Sequence, residues 1–251
     1  MQIGDILEYS QQIVAIESDN EHIIANGFFV LINETYYFVT ANHAISSKSE
    51  LEGETQLVLH ARWEGLSTRV VTLKKWQFID LLKIPSSNGR FAAPIKDYRE
   101  DFTFCSLSKE SIKESVRVLP YFLMESSPSS CHHKSFKCIK LPQQKGEPDT
   151  QERFYMAGKI LEEKDGITWE YQKYYYPEMQ YTGKFDNLYE FQLNEQVDLD
   201  KMKGLSGSPV FDSKCSFVGM ALRYREEDGV LLVFPAEDIF WYLNNDSSSD
   251  V

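Results

Sequence analysis

The chain has 251 residues, 42% hydrophobic and 25% charged, enough to bury a sizeable core as one large domain or two smaller halves. Twenty-six basic against 38 acidic residues give a net charge of −12, which argues against a nucleic-acid backbone as the main partner. The opening "MQIGDILEYSQQIVAIE" lacks a basic region followed by an apolar run, and no stretch reaches the apolar length of a membrane span, so a cytoplasmic protein without membrane contact is expected.

In chain order, the runs QQIVAIE, GFFVLI, TYYFVT, TQLVLHARW, TRVVTL and DFTFCSL predict strands, because β-branched and aromatic residues dominate them and polar turns bound them. Asn33-Glu34, between the second and third runs, predicts a hairpin turn. MESSPSSCHHK (124–134) is the most linker-like stretch and falls near the middle. Beyond it, SFKCIKL, RFYMAGKI, LYEFQL, SPVF, SFVGMAL and GVLLVF predict further strands. PAEDIFWYLNN predicts the single helix. Pro235 suits a first helical position, Glu237 and Asp238 suit the positive helix start, and Ile239, Phe240 and Leu243 form an apolar face. The polar NNDSSSDV is expected to be disordered.

Many short strands at close spacing predict an all-β protein, a barrel or a sandwich. Two barrels joined near the middle suit the length: 1–122, then 123–245, with 246–251 as a tail. The four cysteines are few and irregularly spaced, so free thiols are expected rather than a disulfide framework. In CHHKSFKC, Cys131, His132, His133 and Cys138 match no usual structural zinc spacing, and a polar loop is expected there. No metal or cofactor is predicted.

The densest chemical signal is KGLSGSPVFD (203–212), with two glycines, two serines and a proline ahead of a strand. Such a cluster can be an ordinary turn, or a loop that holds one hydroxyl in an unusual backbone pose. Acyl transfer requires the second: an exposed serine oxygen, and main-chain N–H groups aimed at the developing oxyanion. Ser206 is the better candidate, flanked by Gly204 two residues before and Gly207 immediately after; Ser208 lies closer to the strand. A serine needs a base. Of five histidines, His43 sits just after a β-run among the small residues Thr40, Ala41 and Ala44. His22 is read as lying in a polar turn, His60 in a strand, and His132 and His133 in the linker-like stretch. Asp101 opens the apolar strand DFTFCSL and is the candidate carboxylate, with Asp97 as the alternative.

Taken in order, FVTANHAI, DFTFCSL and GLSGSPVF resemble the three signature segments of trypsin-like (chymotrypsin-fold) serine peptidases, and the resemblance extends over nearly the whole chain. It implies two six-stranded antiparallel Greek-key barrels with a C-terminal helix, and a serine endopeptidase that works through an acyl-enzyme. It further implies His43 as general base then acid, Asp101 as its orienting carboxylate and Ser206 as nucleophile. The N–H groups of Gly204 and Ser206 would form the oxyanion hole, and Leu222, Arg223 and Tyr224 would lie on the strand that pairs with a protein or peptide substrate.

The departures are also informative. Leu205 stands where animal digestive members carry an aspartate, and the chain begins MQIGD rather than with a freshly cut apolar terminus. The pattern is therefore more similar to the bacterial stand-alone and high-temperature-requirement branch, here without a PDZ module. An ungapped count back from Ser206 puts Asp200 where trypsin-like enzymes keep a pocket aspartate, although VDLDKMKG also reads as an acidic–basic surface loop. Control by a regulatory protein partner or by ordering of the site is expected. Two other functions suit the same scaffold: a non-catalytic or weakly active peptide-binding or regulatory domain, and a small-ester hydrolase.

Overall fold

The computed structural model describes residues 9–17, 20–44, 56–63, 66–73, 77–78, 101–107, 138–140, 146–156, 158–164, 167–175, 178–195, 197, 202 and 204–246. The N-terminal half contributes β1 (Ser10–Glu17), β2 (Asn20–Ile32), β3 (Thr35–Thr40), β4 (Gln56–Trp63), β5 (Leu66–Leu73), β6 (Gln77–Phe78) and β7 (Thr103–Leu107). The C-terminal half contributes β8 (Cys138–Ile139), β9 (Phe154–Met156), β10 (Gly158–Lys164), β11 (Ile167–Tyr175), β12 (Glu178–Phe185) and β13 (Leu188–Leu193). It continues with β14 (Pro209–Asp212), β15 (Phe217–Arg225), β16 (Val230–Pro235) and the helix α1 (Ala236–Asp246). Among the described residues no helix is long and apolar enough to cross a membrane.

The architecture is the expected one, mostly strands in two sheet systems with a C-terminal helix. In the first half the order is β5-β4-β1-β2-β3-β7-β6; the six longer strands are joined by the two-residue β6 and by β8, which pairs in parallel with β2. In the second half β12-β13-β16-β15-β14-β9 close into a six-stranded barrel, and β10 and β11 form a separate two-stranded ribbon. Asn33 and Glu34 take φ values of 45° and 70°, the pair of left-handed residues that a tight two-residue hairpin requires between β2 and β3.

Three strands were not read from the sequence, the two-residue β6 among them, and the run RFYMAGKI is divided between β9 and β10. ITWEYQKYY is β11 and EMQYTGKF is β12, where Met179 and Tyr181 point inward and Glu178 and Gln180 outward. His22, expected in a polar turn, belongs instead to β2, where it pairs with Ala15 of β1.

Two-residue periodicity distributes the side chains between two cores. On β16, Leu231 and Val233 face the interior of the closed barrel with Met156, Tyr181, Phe191 and Val210. The intervening Val230, Leu232 and Phe234 face outward, into a second core shared with the first sheet and α1. This explains why VLLVFP is apolar throughout: both faces of β16 are buried. The shared core is rich in aromatics from both halves. Phe28 of β2 meets Phe217 of β15 at 5.1 Å, and Phe102, just before β7, stacks on Phe234 at 5.3 Å. Burying a large apolar side chain contributes roughly 1.5–3 kcal/mol, so this seam joins the halves through many such contributions.

Candidate active site

His43, Asp101 and Ser206 come from three separate segments and meet at the seam between the halves. His43 follows the end of β3, past Ala41 and Asn42, both buried. Asp101 lies two residues before β7, which pairs with β3 in the register Thr40↔Thr103. That register sets the carboxylate beside the imidazole. Asp101 is almost wholly buried, and its Oδ1 accepts hydrogen bonds from the main-chain N–H of His43 (3.1 Å) and from Nδ1 of its ring. A proton on Nδ1 leaves the Nε2 lone pair facing outward. Nε2 lies 2.9 Å from Oγ of Ser206. The three groups therefore form a continuous chain, carboxylate to imidazole to hydroxyl.

The other carboxylate oxygen, Oδ2, is buried and lies 3.8 Å from Nε of Arg223 on β15. Arg223 thus faces the carboxylate across the seam, with its guanidinium partly in water.

The loop carrying Ser206 is fixed from several sides. Gly204 (φ 82°) and Gly207 (φ 87°) both adopt the left-handed backbone that favours glycine. A Cβ at Gly207 would sit 2.0 Å from the carbonyl oxygen of Asn26, so only glycine lets the loop approach β2 this closely. Leu205, at the position where the sequence departs from animal digestive enzymes, is buried in the closed barrel and packs with that core. The loop is anchored there by apolar burial rather than by a charge. Ser208 is fully buried, whereas Ser206 is only half-buried.

Among the described residues, no acceptor takes the N–H of Gly204 or of Ser206, whereas Leu205, Gly207 and Ser208 donate theirs to Met202, Ala221 and Leu205. β15 runs past this loop. It pairs with β14 only as far as Met220, while its pairing with β16 continues to Arg225. Leu222 is buried, Arg223 exposed, and Tyr224 half-buried against the barrel core. The carbonyl of Leu222 lies 2.9 Å from Oγ of Ser206, so this strand reaches the hydroxyl itself.

Cys105, Cys138 and Cys215 carry thiols, not disulfides. Burial pushes the Cys105 thiol up to about 12 and that of Cys138 up to about 11, so neither supplies a thiolate at neutral pH. No group of three metal-ligating side chains occurs among the described residues. Asp200, Asp97, Cys131, His132 and His133 lie outside the described residues.

The sequence reading missed Asn26. This fully buried residue on β2 donates its main-chain N–H to the Ser206 carbonyl (3.1 Å) and its side-chain amide to the Gly204 carbonyl (2.5 Å). A single asparagine ahead of a glycine offers little signal; its partner Gly204 lies 178 residues away.

No protein-family model matches the sequence, and no curated protein matches it significantly. Solved structures do match in fold. Human heparin binding protein is 11% identical, covering 98% of this chain and 93% of its own, with a TM-score of 0.59. The scabies mite inactivated protease paralogue S-I1 is 14% identical, covering 97% and 96%, with a TM-score of 0.57. The thermostable serine protease AL20 from an extremophilic microorganism is 10% identical, covering 97% and 99%, with a TM-score of 0.51. At this identity the likeness is one of fold, and it agrees with the two sheet systems and closing helix described above: the chain has the chymotrypsin-like two-barrel fold.

Proposed function

We propose that this protein is a serine endopeptidase that cuts protein or peptide substrates through an acyl-enzyme. The observation that carries the reading is the unbroken hydrogen-bonded chain from Asp101 through His43 to Ser206. In this mechanism Nε2 of His43 takes the hydroxyl proton as Oγ attacks the scissile carbonyl, and then returns it to the leaving amine. Asp101 holds the Nδ1-protonated tautomer and stabilises the imidazolium as it forms. The N–H groups of Gly204 and Ser206 receive the oxyanion, where one such donor is worth about 3 kcal/mol. The edge of β15 beyond Ala221 receives the substrate backbone as an added strand, with Leu222, Arg223 and Tyr224 along it.

The apolar anchoring of Leu205 suits the bacterial stand-alone type, whose site needs no terminal ion pair to order it. Restraint by a regulatory partner is part of this reading; strong cleavage of arbitrary folded proteins by the purified chain would count against it.

The decisive experiment combines a fluorophosphonate probe with a peptide library. Wild type should be labelled and should cut peptides, and Ser206→Ala should do neither. Labelling without peptide cleavage would indicate an ester hydrolase. Absence of both in wild type would make the chain a non-catalytic binding domain.

A further inference from the structure

Asn26 is placed to control the oxyanion loop from the opposite half of the molecule. Its side chain has a unique orientation. The Gly204 carbonyl can only accept, so the amide nitrogen must face it, and the amide oxygen accepts from Ser10 Oγ at 3.0 Å. Its own carbonyl accepts from Thr40 Oγ1 at 2.6 Å, in the segment that leads to His43. Its main-chain N–H holds the Ser206 carbonyl.

The two carbonyls that Asn26 holds belong to the peptide units on either side of the one that carries the Ser206 N–H. The peptide between Leu205 and Ser206 is thus held at both flanking units by β2, and at its own carbonyl by the N–H of Ser208. Gly207 is further held by its bond to Ala221 and by close packing on β2, which leaves the Gly204 side of the loop, where glycine tolerates several backbone states, most dependent on Asn26. A Cβ at Gly204 would meet nothing within 4 Å, so steric packing does not hold that residue.

We propose that Asn26 is a positioning residue for the oxyanion hole: its two donors hold the Gly204 and Ser206 carbonyls so that the N–H groups of the loop stay aimed at the reacting carbonyl. The inference rests on the peptidase reading of the same site. It makes Asn26 matter for the transition state and little for ground-state binding, since it touches neither substrate nor the proton-transfer groups.

The test uses the full chain, a fluorophosphonate, a peptide boronate and a fluorogenic peptide chosen from those wild type cuts. Asn26→Asp keeps the shape but replaces the amide donor by an acceptor. It should slow fluorophosphonate labelling and lower kcat by about 10- to 100-fold, part of the loss expected for a missing oxyanion donor. Boronate affinity should fall in parallel while KM stays within about two-fold, a split that a general loss of structure does not produce. Should Asn26→Asp not fold, Ser10→Ala removes only the bond that orients the amide, and a smaller loss in the same direction is expected. Wild type that reacts, with folded variants reacting equally fast, overturns the role of Asn26 alone. Wild type that never reacts overturns the peptidase reading and this role with it.

Discussion

Oγ of Ser206 lies 2.9 Å from the carbonyl oxygen of Leu222 and 2.9 Å from Nε2 of His43. A hydroxyl has one proton and two acceptors compete for it here, so the proton must lie toward His43 before attack. What biases that choice is the imidazole tautomer, which Asp101 sets by accepting at Nδ1.

Asp101→Asn keeps the size of the side chain but can present an amide N–H to the ring, favouring the wrong tautomer. The kcat should fall by about 10⁴-fold with little change in KM. Steady-state kinetics on a cleaved peptide, with circular dichroism to check folding, would decide it. A loss under ten-fold would remove Asp101 from the mechanism.

Gly204→Ala and Gly207→Ala should differ although both residues have positive φ. At Gly204 a Cβ meets nothing within 4 Å, so only backbone strain of about 1–2 kcal/mol is expected. At Gly207 the Cβ would lie 2.0 Å from Asn26 O and 2.5 Å from Thr40 Oγ1, and the two halves must separate locally. A loss of about 3 kcal/mol or more is expected there. Urea denaturation of the two variants compares them directly, and equal losses would contradict the tight contact.

Arg223→Gln should lower kcat/KM only about three- to five-fold, because the guanidinium is partly in water and 3.8 Å from Asp101. The wild-type value should approach that of the variant as salt rises, while the variant stays flat. Activity measured across an ionic-strength series checks both; an unchanged variant at low salt would assign Arg223 no influence on the carboxylate.

Asp238, in the first turn of α1, should make stability fall as pH rises. Burial, with Glu237 beside it, pushes its carboxyl from 3.8 up to about 6. The folded state then holds this proton more tightly than the unfolded chain, so its contribution favours folding below about pH 4 and is lost between about pH 4 and 6. The whole shift corresponds to about 3 kcal/mol, offset by the attraction of a helix start for negative charge. Asp238→Asn should therefore be more stable than wild type at pH 7.5, by about 1–2 kcal/mol, with a flatter profile from pH 4 to 6. Urea midpoints at several pH values test this, and parallel profiles would refute it.

How much of this could be read from the sequence depended on whether the signal was local. Asn33-Glu34 was legible as a turn because the strained φ values are required at the two residues themselves. The loop around Ser206 stood out because the two glycines that flank it are needed for its left-handed backbone. The strand β12 was missed although it alternates Glu178, Met179, Gln180, Tyr181, since its polar face diluted the apolar run. Asn26 was invisible because its meaning lies in carbonyls from the far half of the chain. The contact between Arg223 and Asp101 was hidden for the same reason: it exists only once two strands from different sheets have met.

The aromatic seam also has a mechanical consequence. Phe102 is adjacent to Asp101 and is stacked on Phe234, with Tyr242 of the closing helix 5.6 Å away. A molecule so bolted cannot open like a jaw: prying the halves apart would expose those rings and drag the carboxylate from the imidazole in one movement. The position of the Asp101 carboxylate is thereby tied to the aromatic packing behind it.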